Sequence, residues 1–386
     1  MFQDLPRPSF NIGIEEEYQT IDPATRNLRS HISAEIVEKG RMLLAEHVKP
    51  EMHQSVIEIG TGVCENVEQA RHDLRSIRRQ MITLARESGL RISGGGTHPF
   101  ALWREQEIYP DERYRTIVED LKMVARANLI FGLHIHIGVE DRETAIQIMN
   151  GARYFLPHIL ALSTSSPFWQ GYDSGLRSYR CKVFDKFPRT NIPDLYSSWS
   201  EFENYVNLLI RTNCIDNAKK LWWDIRPHPH FPTLEFRICD MPTRMDDTIA
   251  IAALCQSVIA TLFALHERNQ TFRHYSRALI MENKWRAARY GLDGKLIDFG
   301  KQKEVPVRDL IRELLDIVAP AAEELGAIGE LAHIERIVRE GSAADHALRI
   351  FEDTKDLNKV VDNMIRETEM GVFETDLAWA QGGTPS

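Results

Sequence analysis

Apolar and polar residues alternate in several short segments of the chain, and this period of two predicts β-strands. In residues 10–22, for example, Phe10, Ile12 and Ile14 recur at every second position. The predicted strands lie at residues 10–22, 48–60, 90–100, 129–139, 221–226 and 233–239. Residues 165–191 are rich in Ser, Gly, Pro and aromatic residues, which predicts a long loop.

Apolar residues spaced three and four apart predict helices elsewhere in the chain. In residues 66–88, Ala70, Leu74, Ile77 and Met81 follow this spacing, and Asn66 is a plausible N-cap. Further helices are predicted at residues 33–46, 111–126, 141–153, 155–165 and 201–214, and almost continuously from residue 245 to about residue 370.

Strands mixed with helices in the first two thirds, followed by helices alone, predict an α+β fold rather than a parallel βαβ array. We expect a single domain over residues 1–386, in which residues 245–370 form a mainly helical elaboration. Residues 381–386 are expected to be a disordered tail.

Composition excludes several classes of protein. The formal net charge of -9 argues against a general nucleic-acid binder. The longest apolar run, residues 248–265, is interrupted by Gln256 and Ser257, so we expect a buried core helix and no membrane span. The first residues lack the layout of a signal peptide, which leads us to expect a cytoplasmic protein. The five cysteines show no CxxC spacing, so neither a disulfide framework nor a zinc site is indicated.

Charged and imidazole side chains alternate with apolar residues in four of the predicted strands. Residues two apart on a strand share a face, so Glu15 and Glu17 project together while Glu16 points the other way. The four sets are Glu15 with Glu17, Glu51 with Glu58, His134 with His136, and Glu235 with Arg237. If their polar faces belong to one sheet, they form a multi-metal surface that handles phosphate.

Each set also has a simpler interpretation when it is taken alone. The glutamates of residues 15–17 could lie on a solvated edge strand, Glu58 could serve as an ion-pair partner, and the two histidines could form hydrogen bonds within the sheet. Burying this many acids without a cation would, however, cost several kcal/mol for each uncompensated charge. The joint occurrence therefore favours a metal site.

Three further segments carry candidate ligand contacts. The glycines of residues 94–96, next to Thr97 and His98, would let backbone amides approach an anion, although the segment lacks the GK[ST] of a P-loop. The predicted loop contains donors suited to carboxylate or phosphate, namely Arg177, Ser178, Tyr179 and Arg180. A later segment contains Lys284, Arg286 and Arg289, for which a solvated basic helix face is the alternative.

The chain resembles the glutamate–cysteine ligase type 2 family, whose members are carboxylate-amine ligases. The motifs that carry the resemblance span nearly the whole length: GIEEEY, SVIEIGT, GGGTHPFA, HIHIGV, SSPFWQGYDSGLRSYR, TLEFRICD and WRAARYGL. The resemblance implies a fold like that of glutamine synthetase, in which a curved antiparallel sheet holds Mg²⁺ and ATP and helices pack on its outer face. It also implies ATP-dependent amide formation through an acyl phosphate.

Matching the family motifs assigns roles to individual residues. The metal ligands implied in this way are Glu15, Glu17, Glu51, Glu58, His134 and Glu235, whereas His136 is a less secure ligand. Arg237 is expected to stabilise the transferring phosphoryl group, and Glu235 and Arg180 complete the predicted catalytic set. Arg237, His98, Lys284 and Arg286 are the predicted cofactor-binding residues. Arg177, Arg180 or Arg286 would hold substrate carboxylates.

The resemblance implies a small carboxylate substrate, such as glutamate, an amine substrate and a homodimer. The activity expected is that of a carboxylate-amine ligase with weak glutamate–cysteine ligase activity. Two alternatives remain at this point. One is a metal-dependent amidohydrolase that uses the same acids, and the other is a paralogue that binds a nucleotide or metabolite and acts as a sensor.

Overall fold

The strands of the main sheet lie where the alternation predicts them, and several are shorter than predicted. The computed structural model of the chain describes residues 6–44 and 47–373. The strands in these ranges are β1 (Ile12–Ile21), β2 (Val48–Pro50), β3 (Val56–Gly60), β4 (Arg91–Ser93), β5 (Gly132–Gly138), β6 (Phe168–Trp169), β7 (Tyr172–Asp173), β8 (Thr190–Asn191), β9 (Trp222–Trp223), β10 (Ile225–Pro227), β11 (Thr233–Asp240), β12 (Lys295–Asp298) and β13 (Lys303–Pro306).

The α-helices also follow the predicted spacing. They are α1 (His31–Leu44), α2 (Val67–Glu87), α3 (Glu112–Leu121), α4 (Met123–Arg126), α5 (Arg142–Ala152), α6 (Leu156–Ser163), α7 (Tyr179–Phe184), α8 (Trp199–Arg211), α9 (Met245–Glu267), α10 (Arg277–Tyr290), α11 (Val307–Glu324), α12 (Ile328–Glu340), α13 (Ala343–Thr354) and α14 (Leu357–Glu369). Asn66 caps α2 as predicted, because its side chain accepts a hydrogen bond from the Gln69 amide.

Three predictions of local structure were wrong. The helix predicted at residues 111–126 is broken at Lys122, whose φ of 51° ends α3 and starts α4. The long loop contains the β6–β7 pair and α7. Within the segment predicted to be helical, β12 and β13 form a hairpin. The predicted tail at residues 381–386 lies outside the described residues.

The main sheet has seven strands in the described part of the chain, and every pairing in it is antiparallel. The strand order is β10, β11, β5, β1, β3 and β2, with β4 paired to β1. This sheet, together with the helices that pack on it, confirms the predicted α+β class.

One face of this sheet forms part of the hydrophobic core. Its buried side chains include Ile14, Ile57, Ile59, Leu133, Ile135, Ile137, Leu234, Phe236 and Ile238. The helices that contact its strands include α2, α5, α6 and α9. Because side chains alternate between the faces of a strand, the charged residues of β1, β3, β5 and β11 project from the other face.

Glu16 is the exception on the apolar face, as the alternation of residues 15–17 predicts. It is fully buried and accepts two hydrogen bonds from the equally buried Arg78 of α2, at 2.8 and 2.5 Å. The hydroxyls of Tyr18 and Thr248 also donate to its carboxylate. This network ties β1 to α2 and α9 and fixes which face of β1 carries Glu15 and Glu17.

Helix α9 is apolar and long enough to cross a membrane by length and composition. Most of its apolar stretch is buried inside the protein, where it contacts β1, β5 and several helices. This is the position of a core helix, as its interrupted apolar run predicts.

A second buried ionic cluster joins α14 to α13 and to the start of α9. Glu367 of α14 accepts hydrogen bonds from Arg244 and Thr243, each at 2.6 Å, and its Oε1 lies 3.0 Å from Nδ1 of His346. Burial would raise the pKa of Glu367, but His346, Arg244 and Thr243 lower it to about 2. The ionised carboxylate is therefore favoured in the folded protein.

We predict that this cluster makes stability sensitive to acid. Because the pKa of Glu367 is lower in the folded protein than in the unfolded chain, its contribution is present above about pH 4.5 and is lost as the pH falls toward 2. Glu367→Gln should be less stable at neutral pH and should lose less stability between pH 5.5 and 3, measured by urea unfolding. The exposed Glu352→Gln is the control and should behave as wild type. Equal acid losses in wild type and Glu367→Gln would contradict the prediction.

Candidate active site

A cavity of about 410 Å³ is lined by the polar face of the sheet and by the segments around it. Eight residues predicted from sequence as catalytic, metal or phosphate ligands line it: Glu15, Glu17, Glu51, Glu58, His134, Arg180, Glu235 and Arg237. They come from five segments that are widely separated in sequence.

The strand register explains why these side chains meet. Glu15 lies opposite His134 of β5, and Glu17 lies opposite Glu58 of β3. On the far side of β5, His136 lies opposite Glu235 of β11. Residues directly opposite in an antiparallel pair project from the same face, so the four strands present one continuous polar surface.

Two groups of three residues on this surface have the spacing of metal ligands. The first triad is Glu15, His134 and Glu235, and the second triad is Glu17, Glu58 and His134. In each triad, one ligand atom from each residue lies within 4.8 Å of the others. The triads share His134, so they mark two neighbouring positions, and the one unprotonated nitrogen of a neutral imidazole can serve only one of them at a time. Glu51 lines the cavity but belongs to neither triad.

The carboxylates of Glu17 and Glu58, in the second triad, lie close to one another and to that of Glu51. Burial and the charge of Glu51 raise the pKa of Glu17 to about 7. Burial and the charges of Glu15 and Glu51 raise the pKa of Glu58 well above its usual value, and burial also raises that of Glu51. Burial contributes most to these shifts, and the nearby cations of the protein do not offset burial and the repulsion between the acids on this side of the cavity.

The first triad is better balanced. Burial would raise the pKa of Glu15, but hydrogen bonds from His134 and His136 lower it well below its usual value. Glu235 is affected in the same way by the charges of Arg237 and Arg226. Burial and the charge of Arg237 lower the pKa of His134 to about 4, so its imidazole is neutral near pH 7. A neutral imidazole is the form that binds a metal.

Two arginines hold Glu235 from both sides. Arg226 of β10 donates to its carboxylate through Nε at 2.6 Å, and Arg237 donates through Nη1. The Nε of Arg237 is buried and has no hydrogen-bond partner in the described part of the chain. Arg237 therefore retains a donor for a further acceptor.

Arg180 reaches the cavity from α7 and lies against the backbone of β5. Its guanidinium donates to the carbonyls of Arg237 and Ile238. It lies directly over Gly132, where an added Cβ would be 3.1 Å from its Cζ. The Gly132 amide donates to Glu17 at 2.5 Å. Because Gly132 has no side chain, the Arg180 guanidinium can lie over it, next to the Glu17 carboxylate.

Asp240 connects β11 to the segment that leads into α7. It accepts hydrogen bonds from the Ser165 amide and from the hydroxyls of Ser166 and Ser178, at 2.6 to 3.0 Å. An Nη1 atom of Arg180 lies 3.9 Å from the same carboxylate. The motif SSPFWQGYDSGLRSYR is thereby anchored to the end of β11, and this places Arg180.

We predict that Gly132→Ala leaves the fold intact but displaces the Arg180 guanidinium, because a flexible side chain moves more easily than the sheet. Misplacement of a charged group by about 1 Å lowers a catalysed rate by roughly 100-fold. A steady-state turnover assay tests this, with Gly329→Ala as control because a Cβ at Gly329 meets no atom within 4 Å. If Gly132→Ala turns over at the wild-type rate, the position of Arg180 does not matter for the reaction.

The cavity also contains residues that the sequence analysis missed. Charged and polar examples are Lys49, Arg113, Tyr114, Lys219, Arg226, His228 and His230. An apolar wall is formed by Met52, Ile117, Phe184, Phe187 and Trp222. Arg226 was predictable in principle, because pairing its strand with β11 places it opposite Glu235. Arg113 and Tyr114 lie on α3, whose sequence carries no signal for this position.

Three predicted cofactor-binding residues lie outside the cavity. His98 is buried: its Nε2 is 2.9 Å from the Arg26 carbonyl, and its Nδ1 accepts from the Ala101 amide. Lys284 is buried between Asp224 and Asn191, each 2.8 Å from its Nζ. The polar atoms of both side chains are bonded within the fold, and their positions do not support cofactor binding.

Arg286 is the third of these residues. It lies on α10 and pairs with Glu304 at 2.5 Å and with Glu282 at 3.1 Å, away from the cavity. Arg177 also lies elsewhere and pairs with Asp345 at 2.8 Å. Arg286 therefore fits the alternative of a solvated helix face, whereas Lys284 of the same segment does not.

The glycine-rich turn does not form an anion site. The Gly94 amide donates to the Thr368 hydroxyl, the Gly95 amide to the Met241 carbonyl and the Gly96 amide to the Ser165 hydroxyl. A Cβ on Gly96 would approach the Asp240 side chain to within 3.0 Å. The glycines allow close packing against the end of β11, and their amides are already used.

Comparison with known proteins confirms the resemblance found in the motifs. The sequence model of "Glutamate-cysteine ligase family 2" matches residues 11–363. A protein of Solibacter usitatus named "Putative glutamate--cysteine ligase 2" is 75% identical over 367 residues, which cover 95% of each chain. A protein of Sorangium cellulosum with the same name is 56% identical over 94% of this chain and 97% of its own.

Solved structures share the fold at low sequence identity. A glutamate–cysteine ligase from Francisella tularensis in complex with AMP aligns with a TM-score of 0.69 and 13% identity, over 97% of this chain and 91% of its own. A bifunctional glutathione synthetase from Pasteurella multocida aligns with a TM-score of 0.70 and 14% identity, over 94% of this chain and 53% of its own. The family match and the close relatives extend over nearly the whole chain, which therefore belongs to glutamate–cysteine ligase family 2 and is a ligase.

Proposed function

We propose that this ligase is ATP-dependent and joins a carboxylate to an amine through an acyl phosphate. The observation that carries the proposal is the meeting of the two triads at His134, beside Arg237 and within one cavity. Phosphoryl transfer needs charge neutralisation and positioning more than it needs a side-chain nucleophile. The cavity supplies candidate groups for both tasks.

The donor set fits divalent cations. Carboxylate oxygens with one neutral imidazole suit Mg²⁺ or Mn²⁺, and a bound cation would offset the burial and the acid–acid repulsion that raise the pKa values of Glu17 and Glu58. We assign the residues of the two triads as the ligands, with His134 serving one cation and Glu51 available to one of the cations or to its water. When bound, the cations would neutralise phosphate oxygens and polarise the transferred phosphoryl group.

The residues of the chain would act on the substrates directly. Arg237 would donate to the transferring phosphoryl group. Arg226 would hold Glu235 in place by donating to its carboxylate, and Glu235 would in turn position Arg237. Arg180, whose Nε is also buried without a partner among the described residues, would hold a substrate carboxylate or phosphate beside Glu17. The apolar wall would exclude water from the acyl phosphate.

The reaction proceeds in two balanced steps. A substrate carboxylate oxygen bonds to the γ-phosphorus of ATP while the bond from that phosphorus to the β-γ bridging oxygen breaks, and ADP leaves. The amine nitrogen then bonds to the acyl carbon, the bond from that carbon to the phosphate oxygen breaks, and inorganic phosphate leaves as the nitrogen loses a proton. The products are an amide, ADP and phosphate.

Family membership supports glutamate as the carboxylate and cysteine as one amine, with weak glutamate–cysteine ligase activity. No amidohydrolase or sensor role is favoured by an observation at the site. The homodimer remains a prediction from the resemblance, and the cytoplasmic location remains a prediction from the sequence. Light scattering of the purified protein would test the dimer.

The test measures ADP and phosphate release from ATP and Mg²⁺ with L-glutamate, against a panel of amines that includes cysteine. Product mass is read in parallel. We expect release that depends on both substrates, together with a new amide mass. If no pairing consumes ATP, the ligase mechanism proposed here is wrong.

A further inference from the structure

Lys49 links the two candidate metal positions. It lies on β2, at the edge of the sheet, opposite Glu58 of β3. Its Nζ is 3.1 Å from Oε1 of Glu15 and 3.2 Å from Oε1 of Glu58. Glu15 belongs to the first triad and Glu58 to the second, so one ammonium group bridges a ligand of each.

An ammonium group and a divalent cation are alternatives for the same carboxylate oxygens. Both are attracted to Glu15 and Glu58, and they repel each other at the short distances that shared ligands impose. The Lys49 side chain is 50% exposed, whereas those of Glu15 and Glu58 are 21% and 10% exposed. Its flexible stem can therefore leave the carboxylates and carry the charge to solvent at the cavity mouth.

We propose that Lys49 is a positioning residue that acts as a resident counter-ion of the metal site. It holds Glu15 and Glu58 together before a cation arrives, and a divalent cation displaces it from these carboxylates. This inference rests on the proposed function, because it requires that the triads bind divalent cations. Lys49 thereby weakens the binding of the first cation. Before that cation binds, Lys49 reduces the repulsion among the acids.

A simple surface ion pair would behave differently. If Lys49 only supported the shape of the site, removing it would loosen the ligands, and cation affinity would fall or stay unchanged. As a displaced counter-ion, Lys49 lowers affinity, so its removal raises affinity. The direction of the change separates the two roles.

The experiment titrates Mn²⁺ into the full chain without nucleotide and follows free Mn²⁺ by electron paramagnetic resonance. We expect Lys49→Met and Lys49→Gln to bind Mn²⁺ about tenfold more tightly than wild type, which corresponds to about 1.4 kcal/mol. Lys49→Arg keeps the charge and should stay close to wild type. In the presence of EDTA, the two neutral variants should also melt at a lower temperature than wild type.

Glu15→Gln locates the bound ion and should weaken Mn²⁺ binding in the wild-type background. Equal or weaker Mn²⁺ binding by both neutral variants, while wild type binds normally, would overturn the role of Lys49 and leave the proposed metal site intact. Absence of Mn²⁺ binding in wild type and in every variant would overturn the proposed metal site, and the role of Lys49 with it.

Discussion

Glu235→Gln is expected to lower ATP turnover by at least about 1,000-fold while the protein stays folded. Glu235 is a member of the first triad and also accepts hydrogen bonds from Arg226 and Arg237. The substitution removes a charged ligand and weakens the support of the arginine assigned to the phosphoryl group. Two contributions to the same transition state are therefore lost together. The measurement is the steady-state release of ADP in the presence of both substrates.

The matched control is Glu304→Gln, which changes another glutamate that lies on a strand and pairs with an arginine. Glu304 lies on β13 and pairs with Arg286 outside the cavity. Its variant should retain wild-type turnover, and circular dichroism should show that both variants are folded. Wild-type turnover of Glu235→Gln would exclude Glu235 from the site.

Arg78→Met is expected to destabilise the protein by about 3–5 kcal/mol, because it leaves the buried carboxylate of Glu16 without its charged partner. Both side chains are fully buried, and neither can move into solvent without opening the interface of β1 with α2. Equilibrium unfolding in urea measures the effect. Loss of this anchor should also lower turnover, because Glu15 and Glu17 flank Glu16 on the same strand.

The double variant Glu16→Leu with Arg78→Met tests the cause. Replacing both partners with apolar residues removes the unpaired charge, so part of the lost stability should return, while the buried hydroxyls of Tyr18 and Thr248 lose their acceptor and keep the recovery incomplete. If Arg78→Met alone costs less than about 1 kcal/mol, the pair is not the anchor described here. If the double variant is no more stable than the single variant, the unpaired charge of Glu16 is not the main cause of the loss.

The chemistry of the site could be predicted because a strand has a side-chain period of two. Alternation alone placed Glu15 with Glu17 on one face and Glu16 on the other, and the structure confirms both positions. The apolar neighbours of Glu58, His134 and Glu235 indicated that these residues lie in buried strands. The sequence therefore identified the strands that meet at the cavity.

The residues that pair across strands could not be predicted from the alternation, because these pairs depend on register and strand order. Arg226 meets Glu235 through a hairpin register, and Lys49 meets Glu15 across an intervening strand. Burial also depends on tertiary packing, and Lys284 and His98 lie buried outside the cavity with their polar atoms already bonded. A basic or glycine-rich motif shows which donors exist, and only the fold shows whether they are already used.

The measurement that tests the central claim most directly follows oxygen from the substrate carboxylate into phosphate. L-glutamate labelled with heavy oxygen in its γ-carboxylate is incubated with ATP, Mg²⁺ and the best amine, and the released phosphate is analysed by mass spectrometry. An acyl phosphate predicts one labelled oxygen in each phosphate formed with the amide. Amide formation with unlabelled phosphate, or with the label in AMP, would contradict the proposed mechanism.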